Sequence, residues 1–194
     1  IDLLLTATLE PGDEVLLPSP GYPLYDAIAA RLHARAVHYH PDEANGWQPD
    51  PAELAARVTP RTRALVVCNP NNPTGAVYSR ATLEGMLEVA RRHELLVLAD
   101  EIYDRLLLGG VHVPMGTLAG GVALAMLNGL SKAYLAPGWR VGWLAFVNPE
   151  LTQELARAVQ RLADARLCGP APVQWAVEPA LAGPQQHLAD AVAK

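Results

Sequence analysis

Apolar positions along this chain follow two rhythms that alternate from one end to the other. The runs "EVLLPS", "RALVVCN", "LLVLAD", "VALAMLNG" and "RVGWLAFV" are nearly continuous in apolar character and mostly flanked by Gly, Pro, Asn or Asp, which predicts short buried strands. "RAVHYH" reads as one more. Between them, apolar residues recur three or four positions apart. Leu24, Ile28 and Leu32 do so in "YPLYDAIAARLHA", and Leu83, Met86, Leu87 and Ala90 in a helix beginning near Ser79. Asn148 and Pro149 open a long helix with Leu151, Leu155, Ala158 and Leu162 on its stripe. Asp50, Pro51 and Glu53 supply an N-cap, a first-turn proline and a capping-box acid for a short helix through Leu54 and Val58. "IDLLLTATLEPGDEV" reads as the back half of a helix running into a turn, and the chain is expected to be cut from a longer one.

Fully apolar strands separated by amphipathic helices predict an α/β fold with a mostly parallel, mixed sheet flanked by helices. In such sheets ligands sit beyond the carboxyl ends of the strands. The residues to inspect are therefore Pro18 to Tyr22, Asn69 to Gly75, Asp100 to Tyr103 and Asn128 to Lys132. Together they offer an aromatic ring, an amide, a carboxylate with a phenol, and an amine, a set suited to a charged aromatic cofactor. Each taken alone has a plainer reading. A lysine is most often a solvated charge, Asp100 can cap a helix, Asn72 can occupy a left-handed turn position, Tyr22 can be packing, and Arg140 can pair with any acid.

Composition narrows the class of ligand. At 194 residues the chain can bury a sizeable core, and its net charge of -5 with scattered Lys and Arg provides no basic face for nucleic acid or an anionic membrane. A small soluble substrate is the expected partner. Cys68 and Cys168 have neither pairing nor metal-type spacing, which reads as two reduced core thiols and a cytoplasmic protein. No apolar run reaches the length of a membrane span, and neither an internal repeat nor a low-complexity linker is present.

The segments "NPNNPTG", "ADEIY", "NGLSKAY" and "GWRVGW", in this order and with these separations, resemble those of the fold-type I, class I/II aminotransferases that use pyridoxal 5'-phosphate. The resemblance runs from "PGDEVLLPSPGYPLY" to at least "RLCGPAPVQWAVEPAL". Within the family, "PSPGYPLY", "HYHPDEANGWQPD", "TPRTRALVVCNPNNPTGAVYS" and "RLC" are most similar to the alanine (glutamate-pyruvate) aminotransferase branch.

The resemblance implies roles. Lys132 would carry the cofactor in an imine, which needs a neutral amine, and once freed would move the substrate Cα proton as general base and acid. Asp100 would pair with the pyridine nitrogen and keep it protonated. Tyr103 and Asn72 would hydrogen-bond the ring's phenolic oxygen, and Tyr22 would stack on the ring. Arg140, with Ser131 beside the lysine, would hold the phosphate. Trp139 and Gly142 are read as tight packing of the arginine's strand. Residues 1–194 would form the cofactor-binding large domain. The phosphate-binding glycine loop would lie before Ile1 and the substrate-carboxylate arginine after Lys194, leaving this piece alone with little turnover. The family also implies a homodimer.

Two other readings remain open at this point. Carbon-sulfur β-lyases, aminocyclopropane-carboxylate synthases and decarboxylases share the fold and the lysine–aspartate pair. A cofactor-sensing domain of a transcription regulator would also hold the cofactor on the same lysine, with a helix-turn-helix segment far upstream.

Overall fold

In the computed structural model, which describes residues 1–167 and 169–192, a six-stranded sheet forms the centre. Its strands are β1 (Glu14–Pro18), β2 (Arg35–Tyr39), β3 (Thr62–Cys68), β4 (Leu96–Asp100), β5 (Leu124–Gly129) and β6 (Gly142–Val147), in the order β2-β1-β3-β4-β5-β6. All neighbours are parallel except β6, which runs antiparallel to β5. The mixed, mostly parallel sheet is as expected.

Because successive side chains on a strand point to opposite faces, each strand feeds two cores. Leu16, Leu65, Val67, Val97, Ala99 and Leu124 face one side. There they meet α3 (Pro51–Ala56) and α4 (Arg80–Arg92), which bury Leu54, Leu83, Met86, Leu87 and Ala90. Val15, Leu17, Ala64, Val66, Leu98 and Ala125 face the other side. They pack with Leu4 and Leu5 of α1 (Asp2–Thr8), Ile28 and Ala29 of α2 (Leu24–Arg31) and Val159 of α5 (Pro149–Asp164). Burying one such Leu, Ile or Val contributes about 1.5–3 kcal/mol, so the two-sided cover is what holds the strand ends in place. Three short helices follow, α6 (Ala171–Gln174), α7 (Val177–Ala182) and α8 (Gln186–Val192).

Three local expectations shift. The buried face of α2 is Tyr25, Ile28 and Ala29, with Leu24 turned outward, a rotation of one position from the stripe drawn through Leu24. In α5 Leu151 is 50% exposed and Thr152 and Val159 are the buried members, so that stripe also begins one residue later. Asp50 caps α3 through Ala52 N–H, but Glu53 does not complete the box; it pairs with Arg57 one turn on, a charged partner that outcompetes the distant backbone amide. Asn148 and Pro149 open α5 as expected; Asn148 adopts a left-handed conformation, and its amide donates to the Ala119 and Val122 carbonyls. Cys68 is buried, as read, whereas Cys168 lies outside the described residues. Among the described residues no helix is long and apolar enough to cross a membrane.

Candidate active site

A cleft of about 730 Å³ opens at the carboxyl edge of the sheet. All seven residues singled out from the sequence line it: Tyr22, Asn72, Asp100, Tyr103, Ser131, Lys132 and Arg140. They arrive on different elements. Tyr22 stands between β1 and α2, Asn72 on the loop after β3, Asp100 at the last residue of β4 with Tyr103 just beyond, and Ser131 and Lys132 after β5. Arg140 reaches the same edge because β6 is reversed, so the residues before it, not after it, lie beside the ends of the parallel strands.

Local chemistry explains how each loop is held. In "NPNNPTG" the Asn69 side chain accepts from Tyr78 N–H at 2.8 Å, and Asn71 accepts from the Thr74 hydroxyl at 2.9 Å. These two asparagines staple the turn to itself and leave Asn72 at the cleft. Gly129 and Gly142 are cross-strand partners at the mouth of the β5–β6 pair. A Cβ on Gly129 would lie 2.7 Å from the Val141 carbonyl oxygen, and one on Gly142 would lie 2.8 Å from that of Asn128, so neither accepts a side chain. That bears out the structural reading of Gly142. Trp139 differs: it sits in a short 3-10 turn, Pro137–Trp139, and is 49% exposed.

Asp100 is the most constrained group. It is 6% exposed, accepts from the Tyr25 hydroxyl at 2.5 Å and takes a weaker bond from Ile102 N–H at 3.3 Å. Burial holds its carboxyl above the ordinary range, and the Tyr25 and Ile102 donors pull partly in the other direction. Tyr25 was not among the residues singled out. Its place in the first turn of α2, three after Tyr22, is a signal that the stripe through Leu24 concealed. The two tyrosine rings meet edge to face with centroids 6.3 Å apart. Tyr22 itself is 42% exposed at the cleft.

Lys132 Nζ lies 5.6 Å from the centre of the Tyr103 ring, and among the described residues it pairs with no carboxylate. Arg140 adopts a left-handed backbone (φ 55°) and donates to the Pro137 carbonyl at 2.8 Å, again with no acid beside it. Cys68, cross-strand from Asp100, also lines the cleft; burial and the Asp100 charge push its thiol up to about 12, which leaves it protonated and unreactive.

The cleft thus holds a buried carboxylate, an amine and a guanidinium, none neutralised by another side chain among the described residues. The cofactor that the family resemblance implies carries a basic ring nitrogen, a carbonyl carbon and a phosphate on a flat ring. Pyridoxal phosphate has these groups, and the residues fit it.

The chain belongs to the aminotransferase class I and II family, whose model matches residues 1–194. It is 48% identical to the alanine aminotransferase of Mycobacterium tuberculosis over 187 residues, 95% of this chain and 44% of that protein. It is 43% identical to the glutamate-pyruvate aminotransferase of Escherichia coli over 183 residues, 93% of this chain and 45% of that protein. The solved alanine aminotransferase of Pyrococcus furiosus superposes with a TM-score of 0.97 at 42% identity, covering 100% of this chain and 49% of that one. The chain therefore spans about half the length of the relatives it matches.

Proposed function

We propose that this chain supplies the cofactor-binding site of an aminotransferase that moves an amino group between L-alanine and a 2-oxo acid, 2-oxoglutarate or pyruvate. The observation that carries the reading is the convergence of Lys132, Asp100 and Arg140, from three separate strand ends, on one cleft without mutual neutralisation. The relatives named alanine and glutamate-pyruvate aminotransferase support the substrate pair.

Pyridoxal phosphate supplies an electrophilic carbon and a ring that draws electrons from the substrate's Cα. The protein's own groups do the rest. Lys132 would anchor the cofactor covalently, and its amine, when free, would take the proton from the substrate Cα as general base and give it up again as general acid. Asp100, ionised, would keep the ring nitrogen protonated, and Tyr25 orients that carboxylate by donating to Oδ2. Tyr103 and Asn72 would donate to the ring's phenolic oxygen. Arg140 and Ser131 would hold the phosphate, the guanidinium through its planar fork. Tyr22 would stack on the ring.

The test uses the full-length protein. Incubation with alanine and 2-oxoglutarate is expected to yield glutamate and pyruvate in equal amounts. Borohydride treatment is expected to fix the cofactor on Lys132, as read by peptide mass, and not on any residue of Lys132→Ala. Pyruvate with free ammonia from cystathionine, and no glutamate from alanine, would assign a β-lyase instead. Attachment at another lysine would overturn the site.

A further inference from the structure

Directly after the cleft-facing Asp100 comes Glu101, whose side chain points to the opposite side, into the fold. It is 4% exposed. One carboxylate oxygen accepts from Met115 N–H at 2.7 Å, and the other lies 3.4 Å from His112 Nε2. The His112 side chain is itself only 8% exposed, and neither ring nitrogen has a hydrogen-bond partner among the described residues. A carboxylate taken out of water needs a counter-charge or several donors. An imidazole with both nitrogens buried needs an acceptor. Each is the polar neighbour the structure gives the other.

The pair's position gives it a role. The chain leaves β4 at Asp100, turns through Ile102 and Tyr103, runs out to Leu108 and Val111 at 92% and 80% exposed, and returns at the buried Met115. Glu101 grips that return at two points, Met115 N–H and His112, and so closes the excursion at its root. Its own backbone is tied to Leu127 O at 3.0 Å on β5, the strand that leads to Lys132. Asp100 and Tyr103, two of the cleft residues of this turn, flank the point being gripped.

We propose that Glu101 and His112 are a pair of positioning residues: a buried carboxylate–imidazole strut under the Asp100–Tyr103 turn that fixes both cleft groups relative to Lys132. The inference rests on the cofactor reading above. Loss of the strut leaves the cofactor attached and lets the turn drift, and small displacements of a reacting geometry are costly in rate.

The experiment takes the full-length protein with Glu101→Gln, His112→Gln and the double variant. It measures kcat, the KM for alanine, and the pH midpoint of the cofactor's visible band, which reads the hydrogen bonds to the ring. Each single variant is expected to lose roughly tenfold or more in kcat, to keep KM within about threefold, since substrate contacts are untouched, and to move the band midpoint. The double variant is expected to be no worse than the poorer single one, because the two act as a unit. Wild-type kcat and midpoint in both single variants, even with a lower melting temperature, would reduce the pair to scaffolding and overturn the proposal. Additive losses in the double variant would overturn the pairing. Should Glu101→Gln not fold, His112→Asn, which leaves the Met115 bond in place, decides by the same readouts. A wild-type protein with no cofactor band would defeat the functional reading itself, whereas an active wild type with indifferent variants defeats only this inference.

Discussion

The Tyr25 hydroxyl donates to Asp100 Oδ2 at 2.5 Å, joining the first turn of α2 to the last residue of β4. A donor to the carboxylate favours its ionised form. Tyr25→Phe removes that donor while keeping the ring's packing, so the Asp100 carboxyl rises further above its ordinary range. A hydrogen bond to a charged group contributes about 1.5–3 kcal/mol, so the acid limb of the kcat/KM profile is expected to move up by roughly one pH unit or more. Cofactor occupancy should be retained. An unmoved acid limb would show that Tyr25 does not tune Asp100.

Asp100 itself trades stability for chemistry. Its folded-state pKa is raised, chiefly by burial, so the folded protein binds a proton that the unfolded chain has already released. Stability of the cofactor-free protein therefore falls as pH rises from about 4, the ordinary carboxylate value, through the raised one. Asp100→Asn keeps an acceptor for Tyr25 and removes the charge. The variant is expected to unfold at higher urea than wild type at neutral pH, with the gap closing toward pH 4, and to lose transamination by several orders of magnitude. Equal urea midpoints across that range would contradict the assignment.

Arg140 separates binding from folding. Its side chain is exposed, and its left-handed backbone (φ 55°) is one that asparagine tolerates well. Arg140→Asn should leave the melting temperature of the cofactor-free protein within a few degrees. Its affinity for pyridoxal phosphate, measured by equilibrium dialysis, should fall on the order of tenfold to a hundredfold, as loss of a charge-assisted contact predicts.

Glu14 makes the opposite case at the far end of the sheet. Burial raises its pKa, but the Thr59 hydroxyl and the Arg35 guanidinium outweigh that and hold it below the ordinary value. A depressed carboxyl stabilises above its unfolded pKa and loses that contribution as pH falls through the folded one. Glu14→Gln is expected to cost about 1–2 kcal/mol at pH 7, with the difference from wild type narrowing as pH falls below the ordinary glutamate value of about 4.3 and through the lower folded one. Activity per folded molecule should not change.

The strands and six of the seven cleft residues were legible because each rests on a local property: apolar runs of strand length, and polar residues placed just past them; Arg140, which precedes β6, came from the family resemblance. What the sequence concealed depends on tertiary angle. A stripe drawn through Leu24, Ile28 and Leu32 is as periodic as one through Tyr25, Ile28 and Ala29, and only the tilt of α2 on the sheet selects the second. That tilt is what carries the Tyr25 hydroxyl to a carboxylate 75 residues away. Glu53 departs from the capping-box expectation for a related reason, since a side chain with two possible partners chooses the one that folding brings near. Glu101 and His112 gave no periodic signal at all.

The antiparallel return of β6 has a further consequence. Lys132 and Arg140 hang from a single ribbon whose two strands are locked at a pair of glycines, so the spacing between the amine and the guanidinium is built into one short piece of chain and does not depend on how the helices pack around it.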